Sequence, residues 1–170
     1  PNNPTGLSLS PERLLDWHAR LVQRGGWLVV DEAFMDNTPT MSLAPQSQRT
    51  GLIVLRSFGK FFGLAGVRLG FVLAELKLLK LLAEQVGPWA VSGPTRVLGQ
   101  ACLLDTEAHA RQRQRSEQAS QRLVAMLSQY GLPAQGGCAL FQWLMTPHAE
   151  YLYDFMARRG ILLRLFDHPP

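Results

Sequence analysis

The sequence predicts an α/β fold in which a mostly parallel sheet is followed by a small α+β unit. Two apolar runs rich in β-branched side chains, 27–31 and 52–57, are typical of strands buried on both faces of a parallel sheet. A segment rich in Pro and Gly, 87–94, interrupts the pattern after them. We therefore expect two units, one spanning residues 1–92 and the other residues 93–170.

The first unit opens with a helix. Ser10 is a suitable N-cap, Pro11 fits the first helical position, and apolar residues recur at helical spacing until Gly25-Gly26 ends the run. After the two apolar strands, residues 69–73 predict a third strand and residues 75–86 an amphipathic helix. Strands that are separated by helices or long crossovers favour parallel pairing.

The second unit combines long helices with short strands. Its helical patterns cover residues 95–104 and 106–130, of which the second is long and polar. Residues 139–145 then predict a strand, residues 148–159 a helix and residues 161–166 a last strand. Runs of helices and strands in this order indicate a small α+β domain.

The composition is that of a folded protein, with 46% hydrophobic residues, 18% charged residues and a formal net charge of +4. Four arginines lie in one polar helical segment: Arg111, Arg113, Arg115 and Arg122. At helical spacing Arg111, Arg115 and Arg122 share one face, so we expect a solvated helix face. Because no aromatic residue alternates with the arginines, we exclude a nucleic-acid partner. Lys77 and Lys80 interrupt the most apolar helix, so we expect no membrane-spanning segment.

Neither the cysteines nor the histidines have the spacing of a metal site or a redox motif. They are Cys102, Cys138, His18, His109, His148 and His168. We expect the cysteines to be reduced thiols of a cytoplasmic protein, and the histidines to have core or surface roles. The chain starts at Pro1 within a turn motif and stops at 168–170 directly after an apolar run, so we expect both ends to be truncated.

Four motifs contain the residues that could bind a ligand or take part in catalysis. They are 1–6 (PNNPTG), 31–34 (DEAF), 57–60 (SFGK) and 66–70 (GVRLG). Each alone is as typical of a turn, a cap or a surface charge, but four in this order favour a shared site. Asp31 and Ser57 end apolar strands, and ligands bind at the carboxyl ends of strands in such sheets. Glu32 stands beside Asp31, but adjacent strand residues point to opposite faces, so we expect no paired-acid site.

Together these residues match what a cofactor with an aldehyde, a pyridine ring and a phosphate would require. Lys60 offers an amine for the aldehyde, and Asp31 offers a carboxylate that would keep the ring nitrogen protonated. The Asn3 amide can donate to the ring oxygen. Ser57 and Arg68 can supply a hydroxyl and a guanidinium to the phosphate. The pattern therefore predicts a pyridoxal 5'-phosphate (PLP) site.

This pattern resembles the fold-type-I PLP enzymes related to the class I/II aminotransferases. In that family an Asn-Pro-Thr-Gly motif precedes a strand-end Asp, and Ser-x-x-Lys is followed by an Arg eight residues after the Lys. The same order and spacing run from Asn3 to Arg68, and the resemblance extends over the whole chain. It implies a fold-type-I architecture, with residues 1–92 as the C-terminal part of the PLP-binding large domain and residues 93–170 as an incomplete small domain.

The resemblance also implies a role for each residue. Asn3 would bind the ring oxygen of PLP, and Asp31 would bind its ring nitrogen. Lys60 would form the Schiff base and act as the catalytic residue, while Ser57 and Arg68 would hold the phosphate. Because the family builds its active site at a dimer interface, a homodimer is expected.

One residue departs from the family pattern. Phe34 stands where most relatives carry a Tyr whose hydroxyl also touches the ring oxygen. Together with the loop 58–66 and the linker 88–91, it favours similarity to the branch that decarboxylates L-threonine O-3-phosphate in cobalamin biosynthesis. The alternatives are a histidinol-phosphate-type aminotransferase and a PLP-binding sensor domain of a transcriptional regulator. As an enzyme, the protein would take a small amino acid or amino phosphate, and we expect the residues that bind it to lie outside this chain.

Overall fold

The computed structural model describes residues 1–166, and its main sheet has three strands in the order β1-β2-β3. They are β1 (Leu28–Asp31), β2 (Leu52–Ser57) and β3 (Gly70–Leu73). Strands β1 and β2 pair in parallel, and β2 and β3 pair antiparallel. All three strands lie where the sequence predicts them, to within one residue at each end.

The antiparallel pairing of β3 differs from the expected mostly parallel sheet. A parallel neighbour needs a crossover, usually a helix, to carry the chain back to the starting edge. Residues 58–69 instead return as a loop with one 3-10 turn, Ala65–Val67. The Phe58 N–H donates to the Leu69 carbonyl at 3.1 Å and closes this loop directly above the last strand pair.

One face of the sheet is covered and forms the core. Leu43, Leu52 and Val54 are almost completely buried there, and Leu14 and Leu15 pack against them. These last two residues belong to α1 (Pro11–Val22), so the helix supplies the second layer. Burial of this kind contributes about 25 cal/mol for each Å² of apolar surface removed from water.

The other face, which we call the open face, is exposed within the described part of the chain. Val29 is 56% exposed and Val72 is 39% exposed. Because side chains alternate along a strand, Asp31 and Ser57 share this face with them. The expectation that both faces are buried is therefore wrong for residues 1–166, since the elements described there cover a single face.

Helix α1 begins and ends as its sequence predicts. The Ser10 hydroxyl accepts a hydrogen bond from the Arg13 N–H at 3.3 Å. Hydrogen bonds from its own backbone N–H and from the Ser10 side chain lower the pKa of Glu12. At the other end the Gly26 N–H donates to the Leu21 carbonyl, which is possible because Gly25 takes a left-handed conformation with φ of 70°.

The remaining helices confirm the predicted pattern. They are α2 (Leu76–Val86), α3 (Gly93–Leu104), α4 (Thr106–Gln129) and α5 (Ala149–Ala157). Helix α3 starts two residues earlier than predicted because the Ser92 hydroxyl caps it. Arg111, Arg115 and Arg122 of α4 are exposed, as expected for a solvated helix face.

Of the two strand predictions in the second half, one is confirmed over a shorter range and one is wrong. The predicted strand 139–145 contains β5 (Phe141–Trp143), which pairs antiparallel with β4 (Gly136–Cys138), a strand that the sequence did not predict. Two glycines begin β4, and glycine gives no strand signal in a sequence. The predicted strand 161–166 forms no ladder with any segment among residues 1–166. Its apolar residues suit a strand, but a strand also needs a neighbour with free backbone groups.

Two histidines have structural roles. His18 is buried, and its Nε2 lies 2.9 Å from the Thr50 carbonyl oxygen. The Nε2 atom of His109 lies 2.7 Å from the Cys102 carbonyl oxygen, between α3 and α4. His168 is outside the described residues. No helix among residues 1–166 combines the length and the apolarity that crossing a bilayer requires.

Candidate active site

Two of the expected cofactor residues lie side by side at the carboxyl ends of β1 and β2. The register pairs Asp31 with Leu55, two residues before Ser57. With strands about 4.8 Å apart and a rise of about 3.3 Å per residue, the Cα atoms of Asp31 and Ser57 are about 8 Å apart. The Asp31 carboxylate is exposed and accepts one hydrogen bond, from the Ala33 N–H at 2.9 Å.

The loop that follows β2 carries both expected cations. Lys60 and Arg68 are exposed on it. Arg68 takes the left-handed conformation, with φ of 55° and ψ of 44°, which is uncommon for a residue with a Cβ. Its guanidinium donates to the Ala65 carbonyl at 3.4 Å. Because Ser57 pairs with Gly70, the loop brings Arg68 back to the end of β2, the strand from which the loop leaves.

Aromatic residues fix the loop around Lys60. Phe58 and Phe61 are almost completely buried, and Phe62 stacks on Phe58 with the ring centroids 4.4 Å apart. The amine of Lys60 lies 5.5 Å from the centroid of the Phe34 ring. Two buried anchors on either side of an exposed lysine hold its backbone in place while its amine stays accessible.

Asn3 belongs to a separate turn at the start of the chain. The Gly6 N–H donates to the Asn2 carbonyl at 2.7 Å and closes this turn. Asn3 is exposed and lines a cavity of about 700 Å³ together with Phe141 of β5. Phe141 packs edge-on against Phe34, with 5.1 Å between the ring centroids, and Phe34 in turn faces the Lys60 amine.

The turn is held in that place by backbone contact with the small hairpin. A Cβ on Gly6 would collide with the backbone of Gly137, and a Cβ on Gly136 would collide with the Thr5 carbonyl. Only glycines allow the two backbones to approach so closely. The two predicted units therefore touch where Thr5 and Gly6 meet Gly136 and Gly137, a contact that no local sequence pattern predicts.

The structure agrees with the rejection of a paired-acid site. Asp31 is exposed, whereas Glu32 is completely buried on the covered face. The Glu32 carboxylate accepts hydrogen bonds from the Leu43 N–H at 2.6 Å and from the Ser42 hydroxyl. It also pairs with Arg56 at 3.0 Å. Sequence reasoning missed this cluster, although an arginine inside the apolar run 52–57 was a signal that a buried acid faces it.

The expected site residues thus fall into two groups. The structure brings Asp31, Ser57, Lys60 and Arg68 to one end of the sheet, and it places Asn3 in the wall of the adjoining cavity. An exposed amine, a carboxylate, a hydroxyl and a guanidinium at one sheet end can receive a phosphorylated aldehyde that carries a basic ring nitrogen.

A model of the aminotransferase class I and II family matches residues 1–169. The chain is 60% identical over 169 residues to the threonine-phosphate decarboxylase of Pseudomonas aeruginosa, and the match covers 99% of this chain and 51% of that protein. It is 45% identical over 175 residues to the threonine-phosphate decarboxylase of a Sinorhizobium species, with 100% and 51% covered. The chain thus spans about half the length of these curated relatives.

Among solved structures, the histidinol-phosphate aminotransferase from Sinorhizobium meliloti, in complex with pyridoxal-5'-phosphate, has a TM-score of 0.88 to this chain. Its sequence identity is 23%, and the match covers 100% of this chain and 48% of that one. At this identity the likeness bears on the fold alone. It confirms the predicted fold-type-I architecture.

Proposed function

The chain belongs to the aminotransferase class I and II family, and we propose that the full-length protein is a PLP-dependent lyase. Its substrate would be L-threonine O-3-phosphate, and its product would be aminopropanol phosphate for cobalamin biosynthesis. The observation that carries this proposal is the 60% identity to the Pseudomonas aeruginosa threonine-phosphate decarboxylase over 99% of the chain. Family membership alone would leave the reaction open, since one fold serves several chemistries.

The donor set at the sheet end fits PLP. Lys60 would hold the cofactor covalently, and Asp31 would keep a proton on its ring nitrogen. Asn3 would donate to the ring oxygen from the turn. Ser57 and Arg68 would bind the phosphate, the first as a donor and the second as a charged donor. When bound, PLP supplies an electron sink for the pair left at the substrate α-carbon after a bond to that carbon breaks.

The chain's own residues would then deliver a proton to the α-carbon and exclude water from it. Decarboxylation releases CO2 and leaves an electron pair at the α-carbon, which must gain one proton. Lys60 Nζ is the group that we assign to deliver that proton, because it is an exposed amine at the strand ends. Phe34 and Phe141 form an apolar wall beside it and would keep water from that carbon.

A histidinol-phosphate-type aminotransferase is the second candidate. It would use the same five residues, and the chain is 33% identical over 169 residues to the histidinol-phosphate aminotransferase of Symbiobacterium thermophilum. The two reactions differ in the bond that is broken at the α-carbon. A decarboxylase would have to orient the substrate carboxylate for cleavage, whereas an aminotransferase would present the Cα–H bond to its lysine. A PLP-binding sensor domain would bind the cofactor and turn over neither substrate.

The test uses the full-length protein loaded with PLP. We expect it to release CO2 from O-phospho-L-threonine, and we expect Lys60→Ala to abolish both the release and the visible absorbance of the bound cofactor. Lys77→Ala is the matched control, because Lys77 is an exposed lysine on α2 away from the strand ends. That variant should keep both signals.

The other outcomes identify the alternatives. Glutamate formed from histidinol phosphate and 2-oxoglutarate, without CO2 release, would assign the protein to the aminotransferases. Bound PLP with neither reaction would favour the sensor domain. Colour that survives Lys60→Ala would show that another amine holds the cofactor.

A further inference from the structure

A buried charged cluster lies on the covered face of the sheet, directly behind the candidate site. We call it the Glu32–Arg56 cluster, and it consists of Glu32, Asp36, Ser42 and Arg56. The Arg56 guanidinium joins the two acids, with one nitrogen on Glu32 at 3.0 Å and the other on Asp36. The Glu32 side chain is 1% exposed. The guanidinium therefore makes two directed bonds in a mostly buried site, where the Arg56 side chain is 20% exposed and that of Asp36 14%.

The cluster is linked in sequence to two expected cofactor residues. Glu32 directly follows Asp31, and Arg56 directly precedes Ser57. The Glu32 N–H donates to the Leu55 carbonyl at 2.9 Å, so the β1–β2 ladder continues to this point. Since adjacent strand residues point to opposite faces, the ion pair crosses between the strands on one face while Asp31 and Ser57 stand on the other.

We propose that Glu32 and Arg56 are positioning residues, whose ion pair fixes the separation between the Asp31 carboxylate and the Ser57 hydroxyl. This inference rests on the proposed function, in which these two groups hold the ring nitrogen and the phosphate of one rigid cofactor. A rigid ligand with two distant contacts tolerates little variation in the distance between them. The strand ends therefore need a crosslink beyond the ladder.

The chemistry of the cluster suits positioning better than stability. A buried ion pair recovers little net stability, because both charges lose their hydration. An apolar pair would fill the same space but would leave the strand ends free to shift. The planar guanidinium instead fixes direction as well as distance, because its two nitrogens bond to two separate carboxylates.

Glu32→Gln in the full-length protein tests this directly. The amide oxygen can still accept from the Leu43 N–H, but the amide NH2 would then face the Arg56 donor, so the variant removes the crosslink together with the hydrogen bond that the Ser42 hydroxyl donates to the same oxygen. We expect the dissociation constant for PLP to rise about tenfold, the lower end of what loss of a supporting group costs at metal sites. The pH dependence of the visible band should also shift, since Asp31 would hold the ring nitrogen less closely.

Glu75→Gln is the matched control. Glu75 accepts from the Thr50 hydroxyl at 2.8 Å and so joins the segment before β2 to the segment after β3, at the opposite end of the sheet. It should leave the PLP affinity and the band unchanged. Arg56→Lys is the second test variant, because one ammonium keeps the charge but cannot reproduce the two-nitrogen fork. It should weaken PLP binding less than Glu32→Gln, and it decides the question if Glu32→Gln does not fold.

The outcomes separate this inference from the proposed function. If borohydride reduction of the wild-type protein with PLP does not attach the cofactor to Lys60, the proposed function itself is refuted. If Lys60 is labelled, yet both variants bind PLP as tightly as wild type and show its pH profile, the positioning role is refuted. A lower melting temperature with unchanged PLP affinity would give the cluster a purely structural role, which also contradicts the inference.

Discussion

Phe34 places an aromatic ring beside the Lys60 amine. Its ring lies 5.5 Å from Lys60 Nζ and packs edge-on against Phe141. In the family pattern a tyrosine stands here and adds a hydrogen bond to the ring oxygen of PLP. With Phe34, the Asn3 amide would be the remaining donor to that oxygen. A more negative ring oxygen attracts the proton of the Lys60–cofactor linkage more strongly.

Phe34→Tyr is therefore expected to lower the pKa of the Lys60–cofactor linkage in the full-length protein. The added hydroxyl withdraws charge from the ring oxygen, and one hydrogen bond of about 1–1.5 kcal/mol corresponds to about one pH unit. A spectrophotometric titration of the visible band measures it. Phe155→Tyr on α5 adds the same hydroxyl elsewhere and should leave the titration midpoint where it is. An unchanged midpoint in Phe34→Tyr would place the ring oxygen away from residue 34.

At the scale of elements, the turn at 2–6 and the hairpin β4–β5 depend on each other. Gly6 has φ of 73° and faces Gly137 with no room for a side chain. Gly25 is a matched case, since it has φ of 70° but no atom near the position of a Cβ. The two glycines share a backbone conformation and differ in what surrounds them.

This pair predicts two different costs for the same substitution. Gly25→Ala should lower the free energy of unfolding by about 1–2 kcal/mol, the cost of a left-handed residue with a Cβ. Gly6→Ala should lower it by about 3 kcal/mol or more, because the collision with Gly137 is added to that cost. Urea unfolding of the two full-length variants measures both. Equal losses would mean that the turn and the hairpin separate easily.

Local signals account for most of the elements that could be predicted. The cap at Ser10 and the apolar run 52–57 gave α1 and β2 with their observed bounds. Strand β4 and the unpaired state of the segment 161–166 could not be predicted, because pairing depends on which backbone lies alongside and the local pattern contains no such information. The contact of Gly6 with Gly137 was hidden for the same reason.

The candidate site likewise has a part that the sequence predicts and a part that depends on tertiary contacts. Motif order predicted that Asp31, Ser57, Lys60 and Arg68 share one sheet end, because strand direction alone brings strand ends together. The cluster behind them joins Glu32 to Arg56, 24 residues further along the chain; Arg56 signals a buried acid, but the local pattern does not show which acid it meets. The cluster was not predicted because its residues meet only through tertiary contacts, which a single sequence does not show.

At the scale of the molecule, helix α4 is fastened to the sheet unit by a few polar contacts. Arg113 Nε donates to the Asp36 carbonyl at 2.8 Å, and the Asn37 amide donates to the buried Ser116 hydroxyl at 3.1 Å. The Arg113 guanidinium also lies 5.8 Å from the centroid of the buried Phe61 ring. Arg113 thus touches the segment after Glu32 and the residue after Lys60.

Arg113→Ala should weaken both connections at once. We expect a loss of about 1–3 kcal/mol in the free energy of unfolding, from a charged hydrogen bond to a carbonyl and a cation–π contact. Arg115→Ala is the matched control on the same helix, because Arg115 is exposed and should change stability by less than about 0.5 kcal/mol. Chemical denaturation of both full-length variants gives the comparison.

The PLP affinity of Arg113→Ala then shows whether the contacts between α4 and the sheet unit also support the cofactor site. Phe61 is an anchor of the Lys60 loop, so release of its ring should let the loop move and should weaken PLP binding in Arg113→Ala alone. Titration with PLP well below the melting temperature keeps this effect separate from unfolding. Lost stability with unchanged affinity would show that the loop is held by Phe58 and the strand end, and that α4 contributes only to the fold.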